Sequence, residues 1–271
     1  MNILITGHTG FIGSHLTKIL GEHNIIGVDI KDGHNIFEVD YLEPLFSRNE
    51  IDTVIHLAAL AGVGYSMEHS EDVLNNNIIG FDRLAKTAIR HGVRHFIYAS
   101  SSLVYGGKSL YAVTKQTNEL QAAVYANMYD MKFTGLRFFT VYGNGMRKDQ
   151  AISRFVEAMR NDTPINVYGD GTIARDFVYI DDICEAVKRI VESDKEWHNE
   201  VFDIGYGESV SINRLILVLK DILNPTFYKV MYGQEKGYDV KTQLADPSRL
   251  YDMFGFRPRY DIIQGLKEWL L

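Results

Sequence analysis

The chain has 271 residues, 46% hydrophobic and 23% charged, a composition typical of a soluble globular enzyme. A net charge of −7 argues against a broad nucleic-acid-binding surface, and the absence of any run of about 18 apolar residues predicts no membrane span. Cys184 is the only cysteine and MNILITGHTG lacks the features of a signal peptide, so we expect a cytoplasmic protein with no disulfide and no metal site.

Short apolar runs alternate with helical patterns through the first half of the chain. The predicted strands lie at 2–6, 24–29, 53–58, 95–100 and 132–139, and the predicted helices at 11–20, 69–91 and 111–129. Continuous apolar strands separated by helices indicate a parallel sheet covered on both faces. The sequence therefore predicts an α/β fold with a Rossmann-type doubly wound sheet, whose ligands bind beyond the carboxyl ends of the strands.

After Tyr142 the pattern changes to shorter elements. Helices are predicted at 150–160, 181–192 and 211–222, and strands in NVYGDG, RDFVYI and VFDIG. This part predicts a smaller C-terminal α/β lobe. We expect residues 1–165 to form the cofactor domain, with 176–204 returning to it, and 166–271 to form mainly the substrate lobe.

A glycine-rich turn joins the first strand to the first helix. In ITGHTGFIGSHL, Gly7, Gly10 and Gly13 allow a tight turn and a close approach of the backbone to a pyrophosphate. Asp29 ends the second strand, where a carboxylate accepts ribose hydroxyls and repels a 2′-phosphate. The combination predicts dinucleotide binding, with NAD favoured over NADP. Lys31, two residues after Asp29, leaves NADP as the alternative cofactor.

Three residues further along suggest proton chemistry. Tyr111 and Lys115 are four residues apart on one predicted helix and so share a face. Tyrosine, with an ordinary pKa of about 10, becomes a usable base when an ammonium group nearby favours the phenolate. Ser101, at the end of the strand FIYAS, is placed to bond the same substrate oxygen. We predict these three as the catalytic residues.

Together these motifs resemble the extended short-chain dehydrogenase/reductases of the nucleotide-sugar epimerase and dehydratase group. The resemblance covers nearly the whole chain, through TGHTGFIGSHL, HLAALAG, NNIIG, SSSLVYG, YAVTK, GLRFFTVYG, RDFVYIDD and LADPSRL. It implies a cofactor site made of Gly7, Gly10, Phe11, Ile12, Gly13, Asp29, Asp40, Leu57, Ala58, Ala59, Asn77, Tyr111 and Lys115. It implies a nucleotide-sugar site made of Ser101, Ser102, Thr140, Arg147, Tyr168, Arg175 and Lys236.

Within this group the residues after the catalytic serine distinguish reactions. The 4,6-dehydratases carry an Asp-Glu pair there, where this chain has Ser102 and Leu103, so dehydration is not expected. The resemblance is closest to UDP-glucuronate 4-epimerases, in which the residue at the position of Thr140 faces the sugar carboxylate. Gly64 departs from that pattern, because AGVGYS replaces the usual AGVRYS. The implied reaction is epimerisation at C4 through a transient 4-keto sugar, with UDP-glucose and UDP-N-acetylglucosamine as the next substrates.

Two other functions stay open at this stage. A 4-keto nucleotide-sugar reductase using NAD(P)H would share the catalytic residues but consume its cofactor. A catalytically silent dinucleotide-sensing protein would keep the fold, although such proteins typically lose the tyrosine or the lysine. The family implies a homodimer built on the helices predicted at 69–91 and 111–129. The segment from Ser101 to Tyr111 is shorter than is usual in the family, which predicts an atypical lid.

Overall fold

Six strands form a central sheet in the structure, a computed structural model that describes residues 1–235, 237 and 240–271. In spatial order they are β2 (Asn24–Val28), β1 (Asn2–Thr6), β3 (Thr53–His56), β4 (His95–Ser101), β5 (Lys132–Phe138) and β9 (Asn199–Ile204). The pairings from β2 through β5 are parallel. The order reverses between β1 and β3, the position at which such sheets bind ligands. The predicted doubly wound α/β fold is confirmed.

The helices lie close to their predicted positions, with one interruption. They are α1 (Phe11–Ile19), α2 (Val39–Asn49), α3 (Val63–Glu68), α4 (Ser70–Leu74), α5 (Gly80–Arg90), α6 (Leu110–Met128), α7 (Ala151–Arg160), α8 (Ile180–Val191), α9 (Ile212–Leu223), α10 (Ser248–Phe254) and α11 (Ile262–Leu270). The helix predicted at 69–91 is divided by a π-helical turn at Asn75–Ile79. The sequence reasoning did not identify α2, α3, α10 or α11. No helix in the described ranges has both the length and the apolar character needed to cross a membrane.

The core of the sheet is apolar on both faces. Ile3, Leu4 and Ile5 of β1 have no exposed surface, as expected for a strand covered by helices on either side. Phe81 of α5 packs edge-on against Phe96 of β4, with ring centroids 5.5 Å apart. Each such buried side chain contributes about 1.5–3 kcal/mol, so α5 is held firmly against the sheet.

The chain separates into two compact units. The first comprises Met1–Phe138 and Cys184–Phe202, and the second comprises Phe139–Ile183 and Asp203–Leu271. The expectation that 1–165, with 176–204, form the cofactor domain and that 166–271 form mainly the substrate lobe stays a prediction.

The second unit contains two small sheets. One has the order β10 (Ser209–Ser211), β8 (Ala174–Tyr179), β6 (Thr140–Tyr142), and the other pairs β11 (Val230–Gly233) with β7 (Ile165–Tyr168). The strands β6, β10 and β11 were not predicted separately.

A buried carboxylate organises the loops beside β8. Asp176 accepts the backbone N–H groups of Tyr206 (2.7 Å), Gly207 (2.8 Å) and Ala245 (3.1 Å). Burial raises the pKa of Asp176 above its ordinary range, although these bonds oppose the shift. The carboxylate thus ties two loops to the strand that carries Arg175.

Candidate active site

The glycine turn after β1 has the geometry that its sequence predicts. Gly7 adopts the left-handed region with φ +74°, and a Cβ there would lie 2.8 Å from the Ala58 nitrogen. A Cβ on Gly13 would lie 2.7 Å from the His8 Cα, so glycine lets α1 pack directly on the turn. Gly10 caps α1 without a side-chain hydrogen bond, and the first turn of this described helix carries no acidic residue. Its N–H groups and positive dipole end therefore suit a phosphate.

Asp29, directly after β2, is held as an anion. Its carboxylate accepts the Thr9 hydroxyl (2.7 Å), the Thr9 N–H (3.2 Å) and the Lys31 N–H (3.0 Å). Burial alone would raise the pKa of Asp29, but the bonds from Lys31 and Thr9 outweigh it and the net shift is downward. A fixed carboxylate at this place suits ribose hydroxyls and disfavours a 2′-phosphate. Asp40 lies exposed in the first turn of α2.

Asn77 links the segment after β3 to α6. This residue is buried in the π-helical turn, accepts the Leu60 N–H (2.9 Å) and donates to the Leu60 carbonyl (3.1 Å) and to Thr114 Oγ1 (3.2 Å). Leu57, Ala58 and Ala59 form the start of the segment that Asn77 holds. Asn77 thus lies within the helix predicted at 69–91, at the place where the structure has a π-helical turn.

The predicted catalytic residues lie around the carboxyl end of β4. Lys115 is 2% exposed, donates from Nζ to the Ala99 carbonyl (2.8 Å) and has Nζ 5.7 Å from the centroid of the Tyr111 ring. Burial lowers the pKa of Lys115 to about 8. Ser101 is the last residue of β4, and its Oγ accepts the Leu103 N–H at 3.2 Å. That bond occupies an oxygen lone pair and leaves the hydroxyl proton available for a ligand.

The remaining substrate residue of the first unit, Ser102, is buried at the start of a short 3₁₀ turn, Ser102–Tyr105. Ser102 and Leu103 stand where the 4,6-dehydratases carry their Asp-Glu pair, and neither side chain is a carboxylic acid that could protonate a leaving hydroxyl.

Two features of this site were missed by the sequence reasoning. His56 is buried, and its Nδ1 lies 2.7 Å from Thr6 Oγ1, which itself accepts the Ala58 N–H. Burial, with the charge of Lys115, lowers the pKa of His56 to about 3, so this ring is neutral beneath the site. The second feature is an ion pair between Glu119 and Arg137, whose Nη2 and Oε2 are 2.8 Å apart. Glu119 lies four residues beyond Lys115, so the sequence could have placed it on the same face of the helix as the predicted catalytic residues.

The substrate residues predicted in the second unit occupy separate elements. Thr140 begins β6, and Arg175 in β8 donates from Nη1 to the carbonyls of Ala174 (2.9 Å) and Val240 (2.6 Å). Arg147 makes a two-pronged ion pair with Asp149. Tyr168 ends β7, with Arg154 Cζ 5.4 Å from its ring centroid. Lys236 lies outside the described residues.

The chain belongs to the NAD dependent epimerase/dehydratase family, which matches residues 3–205. It is 31% identical to a UDP-glucuronate 4-epimerase of Thermodesulfobacterium geofontis, over 98% of this chain and 94% of that protein. That alignment extends over 306 residues, more than the 271 of this chain, so the relative carries insertions. The family predicted from the sequence is confirmed.

Solved structures of two epimerases are similar to the structure of this chain. The UDP-glucuronic acid 4-epimerase from Bacillus cereus, in complex with UDP-glucuronic acid and NAD, has a TM-score of 0.92 and 31% identity over 99% of this chain and 98% of that one. The UDP-glucose 4-epimerase of Thermotoga maritima with UDP-glucose has a TM-score of 0.93 and 30% identity, over 99% and 97%.

Proposed function

We propose that the protein is an NAD-dependent nucleotide-sugar 4-epimerase whose first-choice substrate is UDP-glucuronate. The observation that carries the proposal is the buried Lys115 ammonium beside the Tyr111 ring at the tip of β4. The glycine turn follows β1 at the same edge of the sheet, because both strands are parallel members of it. The relatives named as UDP-glucuronate 4-epimerases support the choice of sugar.

The residues of the first unit fit NAD. The uncapped N-terminus of α1 suits the pyrophosphate, and the anionic Asp29 suits the adenosine ribose. When bound, NAD would supply reversible hydride chemistry: an acceptor for the hydride of C4 in the sugar, and afterwards a hydride donor for the 4-keto sugar. The proposed cofactor residues are Gly7, Gly10, Phe11, Ile12, Gly13, Asp29, Asp40, Leu57, Ala58, Ala59, Asn77, Tyr111 and Lys115.

The proton chemistry follows from the first unit's own side chains. With a pKa of about 8, Lys115 is mostly protonated at neutral pH, and its charge favours the phenolate of Tyr111. The phenolate takes the proton of the sugar 4-hydroxyl. The sugar oxygen that loses this proton accepts a hydrogen bond from the Ser101 hydroxyl. When the 4-keto sugar is reduced on its other face, Tyr111 returns the proton, so the sugar is inverted at C4 with no net redox change.

The proposed nucleotide-sugar residues are Ser101 and Ser102 of the first unit and five residues of the second unit. We assign Arg175 and Arg147 to the diphosphate because a guanidinium can bond phosphate oxygens with two N–H groups. Thr140 and Ser102 are hydroxyl donors suited to a sugar carboxylate. Tyr168 and Lys236 complete the proposed set.

Proton NMR of the anomeric signals tests the proposal. The purified protein is incubated separately with UDP-glucuronate, UDP-glucose and UDP-N-acetylglucosamine with a catalytic amount of NAD. We expect a galacto-configured product from UDP-glucuronate without accumulation of NADH, and no product with Tyr111→Phe. Tyr251→Phe, which removes the hydroxyl group of an exposed tyrosine in the second unit, is the control. NADH-dependent reduction of a 4-keto sugar, or no conversion of the three sugars, would contradict the proposal.

We also propose that the protein is a cytoplasmic homodimer. Along α6 the apolar residues Val113, Leu120, Val124 and Met128 are 46–69% exposed and fall on one stripe of the helix. Light scattering after size exclusion should give twice the mass of one chain, and Leu120→Glu should give the monomer. Leu217→Glu, on α9, is the matched control; a monomeric wild type would refute the dimer.

A further inference from the structure

The short segment between Ser101 and Tyr111 is held by hydrogen bonds within itself and to α6. Within the segment, the Gly107 N–H donates to the Leu103 carbonyl (2.7 Å). From α6, Gln116 Nε2 donates to the Val104 carbonyl (2.7 Å). The segment is therefore folded back on itself and fastened to the helix that carries Tyr111 and Lys115.

A chain of polar contacts runs beneath this segment. Glu119 accepts the Ser100 hydroxyl at 2.5 Å and two N–H groups of Arg137, from Nε (2.9 Å) and Nη2 (2.8 Å). The third nitrogen of Arg137, Nη1, donates to the Tyr105 hydroxyl at 2.6 Å, and Arg137 Cζ lies 4.7 Å from the centroid of the Tyr105 ring. We call the four side chains Ser100, Glu119, Arg137 and Tyr105 the loop clamp.

The loop clamp connects the parts that carry the catalytic groups. Tyr111, Lys115 and Glu119 are spaced by four residues on α6 and therefore share one face. Lys115 bonds Ala99 and Glu119 bonds Ser100, consecutive residues of β4 just before Ser101. Helix and strand are thus fixed to each other immediately below the proposed base and its serine.

The contact to Tyr105 is not needed to neutralise the ion pair. Nε and Nη2 of Arg137 already meet both carboxylate oxygens of Glu119, and Tyr105 is 60% exposed, so its burial contributes little. What this contact adds is a fixed position for the end of the 3₁₀ turn that begins at Ser102.

We infer that the loop clamp is a positioning device, in which Tyr105, through Arg137 and Glu119, holds the short segment so that the Ser101 hydroxyl keeps its place relative to Tyr111. This inference rests on the proposed epimerase function. None of the four clamp residues is assigned to contact the reacting atoms.

The test compares Tyr105→Phe with wild type and with Tyr251→Phe. The control is matched because Tyr251 is also exposed and also lies under an arginine, with Arg257 Cζ 4.0 Å from its ring centroid. We measure kcat and KM for the epimerised sugar, the primary isotope effect with deuterium at C4, the unfolding temperature, and amide hydrogen exchange of peptides covering 101–110.

For Tyr105→Phe we expect kcat to fall about tenfold with a larger isotope effect, since mispositioning slows the chemical step. We expect KM to change less than kcat, the unfolding temperature to stay within about 1 °C because an exposed hydroxyl is removed, and exchange in 101–110 to accelerate. Tyr251→Phe should match wild type in all of them. Unchanged kcat, or a fall in kcat accompanied by a large fall in unfolding temperature, would overturn the inference.

The failure of the proposed function is distinguishable from the failure of the clamp. If the wild type converts none of the sugars, the epimerase proposal fails, and hydrogen exchange then decides the clamp alone. Unchanged exchange in Tyr105→Phe would overturn the clamp, and faster exchange would support it as the restraint on the segment. Arg137→Lys, which keeps the charge but loses the two-pronged geometry, should be impaired at least as much as Tyr105→Phe.

Discussion

Replacing Lys115 with methionine removes the charge that we propose activates Tyr111 while keeping a side chain of similar length. With the 5.7 Å between Lys115 Nζ and the Tyr111 ring centroid taken as the charge separation, and an effective dielectric constant of about 20, the ammonium stabilises a phenolate by about 3 kcal/mol. That corresponds to a fall on the order of 100-fold in the ionised fraction of Tyr111 at neutral pH. We therefore expect Lys115→Met to lower kcat by about two orders of magnitude.

Lys115→Met should lower the activity but should not lower the stability of the fold. The pKa of Lys115 falls from its ordinary 10.5 to about 8 because the group is buried. The unfolded chain therefore binds more protons between pH 8 and 10.5, and the unfolding free energy of the wild type rises with pH across that window. Below pH 8, burial of the charged Lys115 lowers the unfolding free energy by about 3 kcal/mol. Lys115→Met removes this cost, and the loss of the hydrogen bond to the Ala99 carbonyl offsets part of the gain. We expect the variant to unfold at an equal or higher temperature.

The assay is the NMR rate measured from pH 6 to 9, with thermal unfolding at each pH. In the wild type, Lys115 loses its charge as the pH rises through about 8, so the activity should stop rising there. In Lys115→Met it should keep rising, because more Tyr111 ionises. Lys188→Met, on the ion-paired surface of α8, is the control. A loss of activity below threefold, or marked destabilisation, would refute the reasoning.

Three further changes test other parts of the molecule. Tyr98→Phe should leave the unfolding temperature unchanged or slightly raised, since the buried Tyr98 hydroxyl has no partner among the described residues, and a clear decrease would contradict this. Asn77→Ala should lower the unfolding free energy by about 2–4 kcal/mol in denaturant titrations, because it strands both backbone groups of Leu60; a change below 1 kcal/mol would disprove that role. Asp29→Asn should weaken NAD binding about tenfold by calorimetry and narrow the preference for NAD over NADP. The single amide oxygen cannot accept both the Thr9 bonds, which share Oδ2, and the Lys31 bond at Oδ1, and an amide offers no anion to the ribose; unaltered NAD affinity would exclude Asp29 from the cofactor site.

Local patterns were sufficient for the class of fold and for the prediction of the reactive residues. Apolar runs alternating with helical periodicity specify a parallel α/β sheet, because a strand covered on both faces needs apolar residues throughout. Gly13 is constrained by the nearby turn residues Gly7 and His8, and the four-residue spacing of Tyr111 and Lys115 follows from helical geometry. These features depend on residues near in sequence, so the sequence alone was sufficient for them.

Contacts between residues distant in the chain were decided only by the tertiary structure. The Asn77 amide in the π turn bonds the backbone of Leu60, and the pairing of Glu119 with Arg137 needs α6 and β5 to be adjacent. The lowered pKa of Lys115 has the same origin, since burial exists only once the helix covers the sheet. The sequence by itself determined which groups could react; their surroundings, and hence their charge states and restraints, come from long-range packing that no local pattern encodes.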